Sequence, residues 1–318
     1  MSLPKIGFGF FPSGVPAALD LVERAEEAGA GTAWMVMPPL GYDTPTIAAA
    51  ALARTGRIAV GTSIVPAFTR HPLTLAAQAL TLDELAPGRF RLGVGTGNLA
   101  VMADGFGTPV GKPASRTREY VDVVRTAVTT GEVHLDGEFY QVDAVVPRAA
   151  PIEVVLAALG PRIFEIAGAV ADAAMSWNVP VGYLDAVARP AVARGAAASA
   201  RPAPPIIAHV PVVVGGDRAE VLAAGRDSLV PFAGNAQYRT MFAAAGVPVE
   251  DGEPTDALVD ALVVSGDETT VTDQLGALAE AQDELMVSLP WPSGVRRDQE
   301  DAVLRMIGSL TRAFAGQT

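Results

Sequence analysis

The sequence predicts an α/β fold, a single (β/α)8 TIM barrel in which most of the eight parallel strands are followed by a helix. The first observation is that short β-like apolar runs alternate with longer amphipathic stretches along the chain. The second is composition: half of the 318 residues are hydrophobic, 18% are charged, and the mean hydropathy is +0.31. Such an apolar balance favours a parallel sheet that is buried on both faces.

Glycine and proline mark the element boundaries in the first half of the chain. Gly29 follows the first predicted helix, and Pro72 opens the third, where its missing N–H costs no hydrogen bond. The predicted elements of this half, in chain order, are strand 5–11, helix 16–28, strand 32–36, helix 44–54, strand 57–66, helix 72–85, strand 89–93 and helix 114–130.

Two segments interrupt the alternation in the second half. Residues 132–147 alternate in polarity and turn at Asp136-Gly137, which predicts a β-hairpin excursion after the fourth barrel strand. Residues 217–264 are helical but irregular, which predicts an insertion before the eighth strand. A single domain then spans 1–318. The remaining predicted elements are strand 153–158, helix 162–170, strand 173–177, strand 206–214, helix 269–280, strand 284–289 and helix 298–314.

A doubly wound open sheet is the structural alternative, and the glycine pattern separates the two folds. A dinucleotide-binding sheet requires a GxGxxG turn after its first strand. Here the first strand itself contains Gly7 and Gly9, and the richer run, Gly93 to Gly97, follows the fourth strand. The pattern therefore favours the barrel.

Composition also excludes several classes of function. The net charge of −12 argues against nucleic acid as a partner. The absence of cysteine excludes disulfides and thiolate catalysis, and no histidine–carboxylate pair has metal-ligand spacing, so we expect no metal. No apolar run is long enough for a membrane span, and the first residues lack a signal-peptide pattern. We therefore expect a cytoplasmic protein that acts on a small molecule.

Three glycine-bearing segments end the third, fourth and fifth predicted strands, at 61–66, 93–98 and 159–162. Active sites of such barrels lie at the carboxyl ends of the strands. Glycine lets the backbone approach a ligand closely, and Pro161 opens a helix whose free N–H groups suit a phosphate. Each segment alone also fits an ordinary turn, but three on one face indicate a bound ligand.

Large apolar side chains lie in or directly after the predicted strands, where a pocket for a flat ring would form. Packing that only plugs the barrel end is the alternative for each of them. His209 lies inside an apolar strand and is interpreted as a buried core residue. The expected substrate pocket consists of Phe10, Trp34, Met37, Trp177 and Trp291.

Two long blocks of sequence resemble the luciferase-like monooxygenase family. They are RTGRIAVGTSIVP at 54–66, followed by RHP at 70–72, and TLDELAPGRFRLGVGTG at 81–97. The resemblance implies a barrel with an insertion that binds either FMN or the deazaflavin coenzyme F420. In the deazaflavin branch it implies a non-prolyl cis peptide in the third strand, which falls at Ser63–Ile64. The cofactor contacts that it implies are Thr62, Ser63, Ile64, Thr96, Gly97, Asn98, Leu159, Gly160 and Arg162.

The chain departs from the family at two positions that bear on catalysis. Many deazaflavin members have a histidine after the second strand and some have an acid after the fourth-strand glycines, whereas this chain has Met35-Val36-Met37 and Asn98. Asn98 is a candidate to polarise a substrate oxygen. Tyr42 and Asp43 are the candidate acids on the second loop.

The resemblance implies an oxidoreductase that transfers hydride between F420 and a small organic substrate. One alternative is an FMN-dependent monooxygenase that receives reduced flavin from a separate reductase. Another is a non-catalytic flavin-binding paralogue, which the missing histidine makes plausible. Helices 44–54 and 72–85 are apolar and are candidates for a homodimer interface.

Overall fold

Eight parallel strands form a closed barrel in the computed structural model, which describes residues 6–38, 40–109, 111–290 and 297–315. The barrel order is β1, β2, β3, β5, β8, β9, β10 and β12, and β12 pairs with β1 to complete the circle. The strands are β1 (Ile6–Phe10), β2 (Thr32–Met35), β3 (Ala59–Thr62), β4 (Val65–Pro66), β5 (Phe90–Gly95), β6 (Glu132–Asp136), β7 (Gln141–Val145), β8 (Glu153–Ala157), β9 (Ala173–Met175), β10 (Ile206–Val214), β11 (Val264–Gly266) and β12 (Glu284–Ser288).

Helices surround this barrel and cover its outer face. They are α1 (Val15–Ala28), α2 (Thr44–Arg54), α3 (Pro72–Leu85), α4 (Leu99–Phe106), α5 (Pro113–Thr130), α6 (Pro161–Val170), α7 (Val181–Tyr183), α8 (Arg189–Ala198), α9 (Arg218–Ala233), α10 (Ala236–Ala244), α11 (Asp256–Leu262), α12 (Glu268–Ala281) and α13 (Arg297–Ala315), with a 3-10 turn at Ala67–Thr69 and a π turn at Leu184–Ala188. Across these described ranges, no helix has the length and apolarity needed to span a membrane.

The predicted fold class is confirmed, because pairing of β9 with β10 closes the sheet that a doubly wound fold would leave open. The hairpin β6–β7 lies after the fourth barrel strand, and α9, α10 and α11 precede the eighth. The helices α4 and α7–α8 were not among the predicted elements. In α8, Pro190 and Gly195 break the helical pattern, and Gly195 is required because an added Cβ would lie 1.8 Å from a carbonyl oxygen of α6.

The amino-terminal end of the barrel is filled by a charged network around Arg91. Its guanidinium donates to both carboxylate oxygens of Glu284 at 2.6 and 2.9 Å, and it also pairs with Glu153. Arg91 donates to the Thr32 hydroxyl at 3.0 Å as well. Burial opposes the charge, but the two carboxylates outweigh this effect and raise the pKa of Arg91. This buried cation is therefore fully paired.

Trp34 lies beneath the candidate site rather than in it. Its side chain is 0% exposed, and the Arg91 guanidinium stacks on its ring at 4.5 Å. Gly61 makes room for the ring, because an added Cβ would lie 2.2 Å from it. The predicted place of Trp34 in the substrate pocket is therefore wrong, since successive inward side chains stack in layers and this one occupies a lower layer.

Phe10 and Met37 also lie outside the expected pocket. Phe10 stacks on Phe8 with ring centroids 6.2 Å apart, and both pack in the outer core between the strands and the helices. Met37 is buried in the same outer core. Because strand side chains alternate between the two faces, the neighbouring Phe11 faces the barrel mouth instead.

Candidate active site

The loops after β4, β5 and β8 converge at the carboxyl-terminal end of the barrel. Pro66 pairs with Gly95, and β5 in turn pairs with β8. A Cβ added at Gly95 would lie 3.0 Å from the Ala157 Cβ. Gly97 has a φ of +64°, which favours glycine, and lies beside Pro66. The three glycine-bearing segments thus meet at one rim.

The third barrel strand is divided by a bulge. Gly61 pairs with Arg91, an offset of 91 − 61 = 30, whereas Val65 pairs with Val94, an offset of 94 − 65 = 29. One extra residue therefore lies between β3 and β4. The peptide Ser63–Ile64 within this segment is cis, as the family resemblance implies.

Thr62 has a structural role at this bulge. Its hydroxyl donates to the Gly93 carbonyl oxygen and accepts from the Gly93 N–H, both at 2.9 Å. The side chain thereby replaces the backbone pairing that the bulge removes. Because both hydrogen bonds are made within the sheet, the expected contact of the Thr62 hydroxyl with a cofactor is not supported.

Ile64 and Trp177 form the floor of the barrel mouth. Both are half-buried and pack on one inner apolar cluster. The buried Ser63 hydroxyl donates to Met175 Sδ at 3.2 Å. This inner cluster consists of Trp34, Val155, Ala173, Met175, Ile207 and Met286.

Asn98 caps a helix instead of presenting its oxygen to a substrate. Its Oδ1 accepts the backbone N–H groups of Ala100 and Val101, at 3.0 and 3.4 Å, at the start of α4. The Thr96 hydroxyl donates to the Gly97 carbonyl at 3.2 Å. The side-chain oxygen of Asn98 is committed to the helix start, so it is a weak candidate for polarising a substrate.

The start of α6 is open. Gly160 is its N-cap, and an added Cβ there would meet no atom within 4 Å. Arg162 is 64% exposed and pairs with Glu165 at 3.1 Å, while Leu159 packs partly in the outer core. Pro161 has no N–H and the Ile163 N–H donates to the Gly160 carbonyl, so this helix start offers an anion the backbone N–H of Arg162 and its positive dipole end.

The two acid candidates of the second loop differ in their surroundings. Asp43 caps α2 by accepting the Thr46 N–H at 3.0 Å and pairs with Arg70 at 2.8 Å. Burial raises the pKa of Asp43, but these hydrogen bonds outweigh it and lower the pKa below the ordinary value. Asp43 is thus ionised at neutral pH, which argues against its predicted role as an acid. Tyr42 is exposed.

A small cleft that is open to solvent lies beside Trp177, on the side of β1, β10 and β12. Trp177 stacks face to face on His209 with centroids 3.7 Å apart, and Phe11 meets Trp177 edge-on at 5.7 Å. Trp291 lies outside the described residues. The lining residues are Phe11, Trp177, Asn178, His209, Pro211, Ser228, Phe232, Ser288, Leu289 and Pro290.

His209 is buried, as the sequence interpretation expects, and it also lines the cleft. Its Nδ1 accepts the backbone N–H of Asn178 at 3.1 Å, and its Nε2 lies 2.8 Å from the Ser288 hydroxyl. Burial lowers its pKa to about 3, so the ring is neutral. Its inward direction follows from strand alternation, because His209 lies two residues after the inward-facing Ile207 and therefore on the same face of β10.

A sequence profile of the luciferase-like monooxygenase family matches residues 12–284. The chain belongs to this family. An uncharacterised protein of Mycobacterium tuberculosis is 31% identical over 230 residues, which are 68% of this chain and 67% of that protein. An F420-dependent glucose-6-phosphate dehydrogenase of Nakamurella multipartita is 32% identical over 206 residues, or 58% of this chain and 60% of the relative.

Solved structures share the whole fold at low identity. A coenzyme F420-dependent tetrahydromethanopterin reductase from Methanopyrus kandleri superposes with a TM-score of 0.78 and 21% identity, over 98% of this chain and 99% of its own. The oxygenating constituent of 3,6-diketocamphane monooxygenase from Pseudomonas putida, in complex with FMN, gives a TM-score of 0.69 and 16% identity, over 97% and 98%. The fold is therefore common to F420- and FMN-binding proteins.

Proposed function

We propose that this protein is an oxidoreductase that transfers hydride between coenzyme F420 and a small organic substrate. The observation that carries the proposal is the convergence of three glycine-bearing loops beside a floor formed by Ile64 and Trp177. The F420-dependent relative supports the choice of cofactor. The protein contributes binding and orientation, because the cofactor carries the reactive centre.

The residues at this rim fit such a cofactor. The ring would lie over the bulge, with Ser63 and Ile64 beneath it, and Gly95 and Gly97 keep the adjoining backbone free of side chains. The phosphate would be held by the backbone N–H of Arg162 and the positive dipole end of α6, where Gly160 leaves open space. When bound, reduced F420 supplies a hydride to the substrate, and oxidised F420 accepts one.

An FMN-dependent monooxygenase supplied by a separate reductase is the second candidate, because an FMN-bound protein shares the fold. Titration of the purified protein with F420 and with FMN, followed by cofactor fluorescence, separates the two. We expect saturable binding of F420 and turnover of the bound, reduced cofactor with a carbonyl compound. Tighter binding of FMN with consumption of oxygen would favour the second candidate, and binding of neither would overturn both.

Gly160→Val tests the proposed phosphate position. The substitution meets open space and a φ of −97°, so the free protein should fold as before. We expect F420 affinity to fall at least about tenfold, because the side chain enters the space meant for the phosphate. Gly56→Val is the matched control, since Gly56 also has open space around it but lies at the opposite end of the barrel. Equal affinity in both variants would contradict the proposed position.

A further inference from the structure

The hydrogen bonds around His209 fix which of its nitrogens carries the proton. Asn178 donates its backbone N–H to Nδ1, so Nδ1 is an acceptor. In a neutral imidazole the hydrogen then resides on Nε2 and points at the Ser288 hydroxyl, 2.8 Å away. Asn178 has a φ of +50°, a conformation that asparagine adopts more readily than most residues, and this backbone turn aims its N–H at the ring.

Ser288 is left with a hydroxyl hydrogen that has no acceptor in the described part of the protein. Its oxygen already accepts from His209, and it has no other hydrogen-bond partner among the described residues. The side chain lines the cleft although Ser288 is only 3% exposed. A buried hydroxyl normally finds a partner, so this hydrogen is available to an acceptor that enters the cleft.

The described lining of the cleft is uncharged. None of its described lining residues carries a formal charge, and the stacked rings of Trp177 and His209 form one wall. The second serine, Ser228, donates its hydroxyl to the Gly225 carbonyl at 2.9 Å and is therefore occupied. A carboxylate or phosphate group would lose its hydration here without gaining a cation, which is costly.

We infer that the cleft binds an uncharged substrate whose carbonyl oxygen accepts a hydrogen bond from Ser288, with His209 as the positioning residue that turns the Ser288 hydroxyl toward it. The inference rests on the proposed function in taking this cleft as the substrate half of the site. It separates this chain from its relative named for glucose 6-phosphate, a doubly charged substrate.

Cyclohexanone and cyclohexanecarboxylate are suitable probes, because they share a ring and differ in charge. Their dissociation constants are measured by ligand-observed NMR, and the carbonyl stretch of bound, 13C-labelled cyclohexanone is measured by infrared spectroscopy. We expect the ketone to bind more tightly than the carboxylate. In Ser288→Ala its affinity should fall about fivefold, with the carbonyl band at higher wavenumber, because one neutral hydrogen bond is lost.

Three further variants separate a specific role from a structural one. Ser288→Thr retains the hydroxyl and should restore the carbonyl band, while Thr272→Ala removes an occupied hydroxyl on α12, outside the cleft lining, and should change neither readout. His209→Phe keeps a ring beneath Trp177 but loses the N–H, so the band should move part of the way toward that of Ser288→Ala. Failure of the wild-type protein to bind the ketone, preference for the carboxylate, or an unchanged band in Ser288→Ala would overturn the inference.

F420 titration of the same variants keeps the two proposals apart. Normal F420 binding, with a ketone affinity and carbonyl band that do not change in Ser288→Ala, would refute the inference and leave the proposed function standing. A ketone response that depends on Ser288 in a protein that does not bind F420 would refute the proposed function and leave the inference about the cleft standing.

Discussion

At the amino-terminal end of the barrel, Arg91 is buried against the carboxylates of Glu153 and Glu284, whereas at the carboxyl-terminal end His209 and Ser288 meet through a neutral hydrogen bond. Arg91, His209 and Ser288 are all buried. The second group, at the carboxyl-terminal end, borders the open cleft.

The difference shows how one fold separates stability from binding. A buried charge must keep its partners, because removing one leaves an uncompensated ion. A neutral serine hydroxyl without an acceptor destabilises the folded state much less, because the group carries no charge. The charged end therefore holds the strands together, and the uncharged end remains available for a substrate.

The largest expected effect is on Arg91→Leu. We expect the free energy of unfolding to fall by about 3–5 kcal/mol, because two carboxylates lose their buried cation. Urea unfolding followed by circular dichroism measures this loss. The double variant Arg91→Leu with Glu284→Leu should recover part of it. A change below about 1 kcal/mol would show that the charged end is not a source of stability.

A smaller effect is expected from acid on the neutral end. Burial lowers the pKa of His209 to about 3, whereas histidine in an unfolded chain titrates near its ordinary value of about 6.5. Below pH 6.5 the unfolded state therefore binds a proton that the folded state does not, and stability falls as the pH falls.

The wild-type protein should lose about 1.4 kcal/mol more than His209→Gln between pH 7.5 and pH 5.5. Urea unfolding of both proteins at pH 7.5, 6.5 and 5.5 measures the difference. Parallel pH profiles would mean that His209 has the same pKa in the folded and the unfolded protein, and they would break the contrast between a charged and an uncharged end.

The smallest expected effect is on Arg162→Gln at the rim. Arg162 is exposed and already paired with Glu165, so its attraction for a cofactor phosphate is screened by water. We expect F420 affinity to fall about twofold in low salt and to match the wild type in 0.5 M NaCl. A loss as large as that of Gly160→Val would show that a side-chain charge, not the helix start, holds the phosphate.

The fold was predictable from sequence because strand and helix periodicities are local. The bounds of α2, α3 and β10 coincide with the predicted ranges 44–54, 72–85 and 206–214. The division of the third strand was not visible, since the bulge depends on how Thr62 pairs with a different strand. Helix α8 was not predicted because proline and glycine have low helix propensity. In the structure its glycine allows close packing on α6.

The candidate site was predictable only in part. The three glycine-bearing segments predicted the rim, because a parallel barrel brings the carboxyl ends of its strands together. The directions of individual side chains were not predictable, so Phe10 was chosen where Phe11 faces the cleft. Asp43 and Asn98 looked like catalytic groups, but short polar residues before a helix are more often its caps.

One wall of the cleft comes from outside the barrel. Ser228 and Phe232 reach it from α9, a helix in the segment between β10 and β12, and Gly225 holds that helix tightly against α11. Substitutions in this one peripheral segment can therefore change the shape of the cleft while the strands of the barrel stay as they are.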